Sequence, residues 1–150
     1  MSISSFRQAI LSYKIRWHVL LVHFPISFFL VAFLFQILHL FTQPSCFEIS
    51  TNVALAAGTI MMIPTTLSGW FSWKKYYKAA RVMLFQRKIT TAFVMLGLSI
   101  VLLSWRSFVL GFFEEIPTNP EHWIYLAGNT LLIFGAVIEG YYGGRLNHNK

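Results

Sequence analysis

Few residues in this chain can do chemistry, and most of those gather around one stretch. HVLLVHFPISFFL, from His18 to Leu30, sets two imidazoles and Pro25 at the head of a long uncharged apolar run. Glu139 lies inside a second apolar run, HWIYLAGNTLLIFGAVIEGYY, and His148 follows it. Lys88 opens a third. Ionisable groups inside apolar spans are costly and mark functional sites by default. On one helix, His18 and His23 point about 140° apart, so they are not a chelating i, i+4 pair. Cys46 is the only cysteine, which leaves no thiolate cluster to complete a zinc site, and no metal site is expected. A haem asks less, one axial imidazole per helix among apolar and small residues. The cofactor-binding candidates are therefore His18, His23, His148 and Glu139, with b-type haem as the group. Two other readings use the same residues. His23 can hydrogen-bond Glu139 and simply tie two helices together. The same two groups can instead pass a proton or an ion.

A second, thinner pair sits at the other ends of these runs: His39 and His122 are expected to meet water, and if the first and fourth helices are adjacent the two imidazoles can meet and serve as ligands at a second depth. Several catalytic templates are missing. There is no glycine-rich phosphate loop, no nucleophile elbow and no helical His-Glu-x-x-His, and the chain contains no aspartate. An independent enzyme is not expected.

The elements that must carry these residues follow from composition. The 150 residues suffice for one domain, 1–150, and are 56% hydrophobic and 11% charged. A soluble domain carries about 25% charged residues, so this chain belongs in a bilayer. Four runs are long enough to cross it, roughly 17–41, 51–73, 89–113 and 122–142, the third interrupted by Arg106. Their order predicts an all-α, up-down-up-down four-helix membrane bundle in which the first and fourth helices touch. Ala54 with Gly58, and Ala136 with Gly140, are the expected close-packing pairs. Pro64 frees a carbonyl that Thr65, Thr66 and Ser68 are placed to satisfy. Phe6, Ala9, Ile10, Tyr13 and Trp17 recur at helical spacing between basic residues. They predict a short amphipathic helix on the membrane surface rather than a cleavable signal.

The net charge of +7 is a matter of topology, not of nucleic acid. KKYYKAARVMLFQRK joins the second and third spans, whereas TQPSCFEIS and EEIPTNPE are acidic connections. The positive-inside rule puts the basic loop and both termini in the cytoplasm. His18, His23, Lys88, Glu139 and His148 then share one layer near the cytoplasmic face, with His23 about 7.5 Å deeper than His18.

HVLLVHFPISFFL resembles His-Pro-x-x-Val-His-Phe-Pro-Ile-Ala-Leu, the opening motif of an uncharacterised four-span bacterial membrane family, domain of unknown function 2231. LSGW at Leu67–Trp70 and GGRLNHN from Gly143 resemble further segments of that family, which is similar to this chain over nearly its full length. Val19 stands where the motif has its first proline, and Asn149 where the ending has glycine. Gln86-Arg87-Lys88 stands where many members have a histidine. The resemblance implies a membrane bundle with histidines matching His18, His23 and His148. Fusion of some relatives to cytochrome c domains implies an electron-transfer setting.

The sequence thus predicts a small non-catalytic subunit of a redox or respiratory-type assembly in the bacterial inner membrane. Its expected partners are the lipid bilayer and other membrane subunits or further copies of itself, with no nucleic acid. A cofactor-free scaffold and a small transporter or proton relay are the alternatives.

Overall fold

The computed structural model describes residues 3–42, 44–76, 83–113 and 120–148; the side chains of residues 3–17, 19, 76, 84, 110 and 145–148 lie outside that description. Four long helices follow in chain order: α1 (Ile3–Thr42), α2 (Ser45–Tyr76), α3 (Met83–Trp105) and α4 (Pro120–His148). All four are long and apolar enough to cross a membrane, over Leu20–Thr42, Ser45–Lys75, Phe85–Val109 and Pro120–Gly144. Contacts run α1 to α2, α2 to α3, α3 to α4 and α4 back to α1, so the bundle closes into a ring. We call the end bearing the α2–α3 connection the basic end and the other the acidic end.

The expected surface helix is not separate. Residues 3–42 form one continuous 40-residue helix, and the segment before the first span runs straight into it. The physical reason is local: no glycine or proline stands between Ile3 and His23 to stop the helix. Pro25 lies inside α1 and lacks the N–H that would bond the Leu21 carbonyl. Thr65 of α2 stands in for it, with its hydroxyl 3.2 Å from the Leu21 oxygen and 2.8 Å from the Met61 oxygen. That differs from the sequence expectation for Pro64. Thr65 and Ser68 bond Met61, Leu21 and Thr65 carbonyls, not the Ile60 carbonyl that Pro64 frees. Each proline of the bundle thus stays helical, and one is answered across the α1–α2 interface.

Hydropathy and burial run in opposite directions. α1 and α3 are the more apolar, with mean hydropathies of 2.2 and 1.9, and bury 22% of their most apolar windows. α2 and α4, at 1.5 and 1.4, bury 44% and 39%. Polar groups costly in lipid are turned inward, and the two helices that carry most of them supply most of the interior. Around mid-bundle, Phe29, Ala32, Leu55, Met62, Met95 and Leu132 form an apolar girdle. Gly58 sets the α1–α2 spacing, since a Cβ there would lie 2.7 Å from Phe29 Cε1. In α4 the expected role of Gly140 is not observed. A Cβ there would meet nothing within 4 Å, whereas one on Gly135 would lie 2.7 Å from Met95 Sδ. The packing face of α4 passes through Gly135 and Ala136 and leaves Gly140 in the open.

α3 continues as a π-helical turn over Arg106–Gly111, closed by Gly111 at φ 82°. The wider turn falls where Arg106 enters the bundle, and π turns are common at functional positions.

Candidate functional site

The girdle, which also holds Thr59 and Ser99, separates two clusters of buried polar residues. Ten residues separate Asn129 and Glu139 on α4, about 15 Å along the axis.

At the basic end the four helices line a cavity of about 450 Å³. α1 lends it His18 and His23, α2 Thr66 and Trp70, α3 Lys88, and α4 Glu139. The predicted polar layer is therefore one space, with aromatic and aliphatic walls. Trp70 packs tilted on Trp73 at 5.6 Å and edge-on to Phe93 at 5.8 Å. Lys74 caps the Trp70 ring at 4.7 Å, a cation–π contact at the cavity rim.

His18 is anchored to α2 through one ring nitrogen. Its Nδ1 lies 2.8 Å from Ser68 Oγ, and Ser68 Oγ lies 2.9 Å from the Thr65 carbonyl. A carbonyl only accepts, so the single hydroxyl proton goes to Thr65 and the hydroxyl oxygen accepts from His18 Nδ1–H. Nε2 then carries the lone pair of the neutral ring. Gly69 leaves room beside it, since a Cβ there would lie 3.0 Å from His18 Cε1. An imidazole with one nitrogen held by a hydrogen bond and the other free is how protein histidines are set to ligate a metal centre.

Of the readings open to His23 and Glu139, a direct bond between them is not formed. Glu139 Oε2 faces Lys88 Nζ at 4.0 Å, and Glu139 Oε1 is buried with no hydrogen-bond partner. His23 lines the same cavity from α1 without bonding that carboxylate. Lys88 displaces it because the α3–α4 contact brings an amine to the depth of Glu139. α4 extends to His148, whose side chain lies outside the described residues.

The acidic end holds the residues that sequence reasoning undervalued. His39 and His122 were expected to meet water in a thin outer layer. Instead, His122 is 6% exposed and stands in a dense cluster drawn from all four helices. Arg106, 0% exposed, reaches Glu48 with Nη2 3.7 Å from Oε1. Glu48 Oε2 lies 3.5 Å from His39 Nε2, and the His39 and His122 rings are 5.8 Å apart. Tyr125 donates to Asn52 Oδ1 at 2.6 Å, Asn52 donates to the Phe112 carbonyl at 3.0 Å, and Asn129 donates to Gln36 Oε1 at 2.9 Å. Among the described residues, no group of three His, Cys, Asp or Glu side chains is placed to hold a metal ion. A sequence signal existed. His122, Tyr125 and Asn129 repeat at helical spacing, as do Gln36 with His39 and Glu48 with Thr51 and Asn52. Tyr125→Phe removes one donor and leaves buried Asn52 Oδ1 without it. We expect a loss of about 1–3 kcal/mol in detergent unfolding, and a loss under half of that would mean that water replaces the hydroxyl.

The two layers also lie within one family match. The model of a family described as a predicted membrane protein (DUF2231) matches residues 14–150. No curated protein and no solved structure matches the chain.

Proposed function

The chain belongs to that family of predicted membrane proteins, and from that premise we propose that it is a non-catalytic integral membrane subunit of a redox or respiratory-type assembly, holding a prosthetic group in the basic-end cavity. One observation carries the reading: His18, with Nδ1 anchored on Ser68 and its Cε1–Nε2 edge beside Gly69, lines a cavity of about 450 Å³. Cofactor sites are concave, mostly apolar and about 300–1,000 Å³, with a few placed polar groups. The residues suit a b-type haem held by one α1 imidazole, His18 or His23, with His148 of α4 as the candidate second imidazole and Lys88 and Glu139 at its polar edge. Such a group would supply one-electron transfer within the bilayer. The chain's own part is to orient the imidazole, exclude water with Trp70, Trp73 and Phe93, and place one cation and one carboxylate beside the bound group.

The same reading places the protein in a bacterial inner membrane with the basic end in the cytoplasm. Lys74, Lys75, Arg87 and Lys88 cluster at that end, and Glu48 lies at the other. Apolar side chains such as Phe41, Phe71, Phe108 and Phe134 face outward, where lipid and neighbouring subunits or further copies would meet them. A proton relay is the second reading, favoured by the unpartnered Glu139 Oε1 in the cavity beside Lys88.

Absorption spectra of the detergent-purified protein after haem-replete expression decide between these. The expected result is a Soret band and a reduced b-type α-band, both lost in His18→Ala while the helical circular dichroism persists. A flat wild-type spectrum overturns the haem reading. In that case, proton uptake into vesicles that fails in Glu139→Gln supports the relay, and its absence leaves a cofactor-free scaffold.

A further inference from the structure

We propose that the acidic-end cluster is a proton-binding site: His39 and Glu48 hold one proton between them, and that proton latches α1 to α2. The inference stands apart from the cavity and its occupant. It begins with His39 Nδ1, which lies 3.1 Å from the Pro44 carbonyl oxygen. A carbonyl has no hydrogen to give, so Nδ1 carries one and donates it. In a neutral ring Nε2 would then be a bare lone pair. Yet Nε2 faces Glu48 Oε2 at 3.5 Å, and an ionised carboxylate is also acceptor-only. Two acceptors do not attract. The approach is favourable only with one more proton, either on Nε2 as imidazolium or on the carboxyl group as an acid donating to Nε2.

Water does not mediate the contact. The void bounded by Gln36, His39, Glu48, Thr51, His122 and Tyr125 is too small to hold a water molecule. Every element that packs on the pair brings a relevant group. α2 supplies Glu48 itself, α3 the Arg106 guanidinium on the other carboxylate oxygen, and α4 the Tyr125 hydroxyl and the His122 ring. Glu121 precedes His122 in the chain. Arg106 balances the Glu48 charge, so the extra proton is additional to an already paired carboxylate. His122 Nε2 is buried with no hydrogen-bond partner, 94% of the residue being shielded when its exposure is 6%. Its ring is the second imidazole of the same cluster, 5.8 Å from that of His39.

The latch follows from where Pro44 and Glu48 lie. Both stand at the α1–α2 connection, so His39 grips the start of α2 with each ring nitrogen. Loss of the proton, taken up from and returned to the aqueous phase at this end, sets the Nε2 lone pair against the carboxylate oxygen. The grip then falls to the single Pro44 bond.

The test uses the full-length protein in lipid nanodiscs, with ring-15N histidine and carboxyl-13C glutamate, from mildly acidic to neutral pH. The expected result is either two N–H groups on His39 or a carboxylic acid band from Glu48. One proton per chain should be lost in Glu48→Gln, with His39 reverting to a single N–H at Nδ1. Wild type with a singly protonated His39 and an ionised Glu48 throughout the range overturns the proposal, and this arm needs no variant to fold. His122→Gln is the second check. The signal should survive it, and its loss there would assign the proton to His122 and refute the latch.

Discussion

Arg106→Leu is expected to lower stability by about 3–5 kcal/mol, the usual cost of stranding one member of a buried ion pair. Arg106 is 0% exposed, and its guanidinium faces the Glu48 carboxylate from α3 to α2 at 3.7 Å. Removing it takes away the cation that faces Glu48 Oε1, in an interior with little water to solvate the carboxylate. The π turn that begins at Arg106 adds a local consequence. With leucine there, the pull that brings the side chain inward is gone, and the segment should shift toward ordinary α-helical spacing. Unfolding by heat and by denaturing detergent measures the first effect, and amide exchange across residues 106–111 the second. The double variant Arg106→Leu, Glu48→Gln should recover most of the loss, since it removes the stranded charge as well. Equal losses in single and double variants would mean that the charge pair is not the source of the stability.

Gly58→Ala should destabilise by about 1–3 kcal/mol, the range for overpacking a filled interior. The new Cβ would lie 2.7 and 2.8 Å from two atoms of the Phe29 ring and 3.2 Å from Phe28 Cβ. Phe29 is 1% exposed and also lines the basic-end cavity. Its ring therefore yields only by moving toward the space proposed for the prosthetic group, so cofactor occupancy should fall together with stability. Gly97→Ala is the matched control. A Cβ at Gly97 meets nothing within 4 Å, and alanine there should stabilise α3 by up to about 1 kcal/mol through helix propensity. Similar responses at Gly58 and Gly97 would show that the α1–α2 spacing is not set by this contact.

The contrast between these glycines illustrates what spacing alone leaves undecided. Ala54–Gly58 and Ala136–Gly140 are equivalent patterns in the sequence, yet only Gly58 meets a neighbour. Which side of a helix faces its partner depends on rotation about its axis, and every residue of an apolar span satisfies lipid or protein alike. The same degeneracy affected the ionisable residues. Depth along the axis was legible, because 1.5 Å per residue places His18, Lys88 and Glu139 in one layer whatever the rotation. Azimuth is not, so the sequence leaves His23 open as one partner for Glu139, whose carboxylate faces Lys88 in the structure.

The acidic end failed for another reason. Glu48 was read as a loop residue and His39 and His122 as water-facing, because each was judged by its distance from a span end. In the structure α2 begins at Ser45, which carries Glu48 into the bundle, and the α1–α4 contact brings the two imidazoles together. A polar residue near a span end can point to water or inward at similar local cost. Partners from other helices decide, and a single chain segment does not contain them.

By itself, then, the sequence determined the membrane setting, the number and order of the helices and the depth of each polar group. Those follow from hydropathy, from helix length and from the fixed rise per residue. Only the tertiary structure decided which polar groups meet: His18 with Ser68, Lys88 with Glu139, and Arg106, Glu48 and His39 in one cluster. The physical reason is that an apolar side chain suits lipid and protein interior alike, so most positions of a span do not say which way they face. Helix rotation is therefore set by a few buried hydrogen bonds, ion pairs and glycine contacts between helices rather than by a pattern along any one of them.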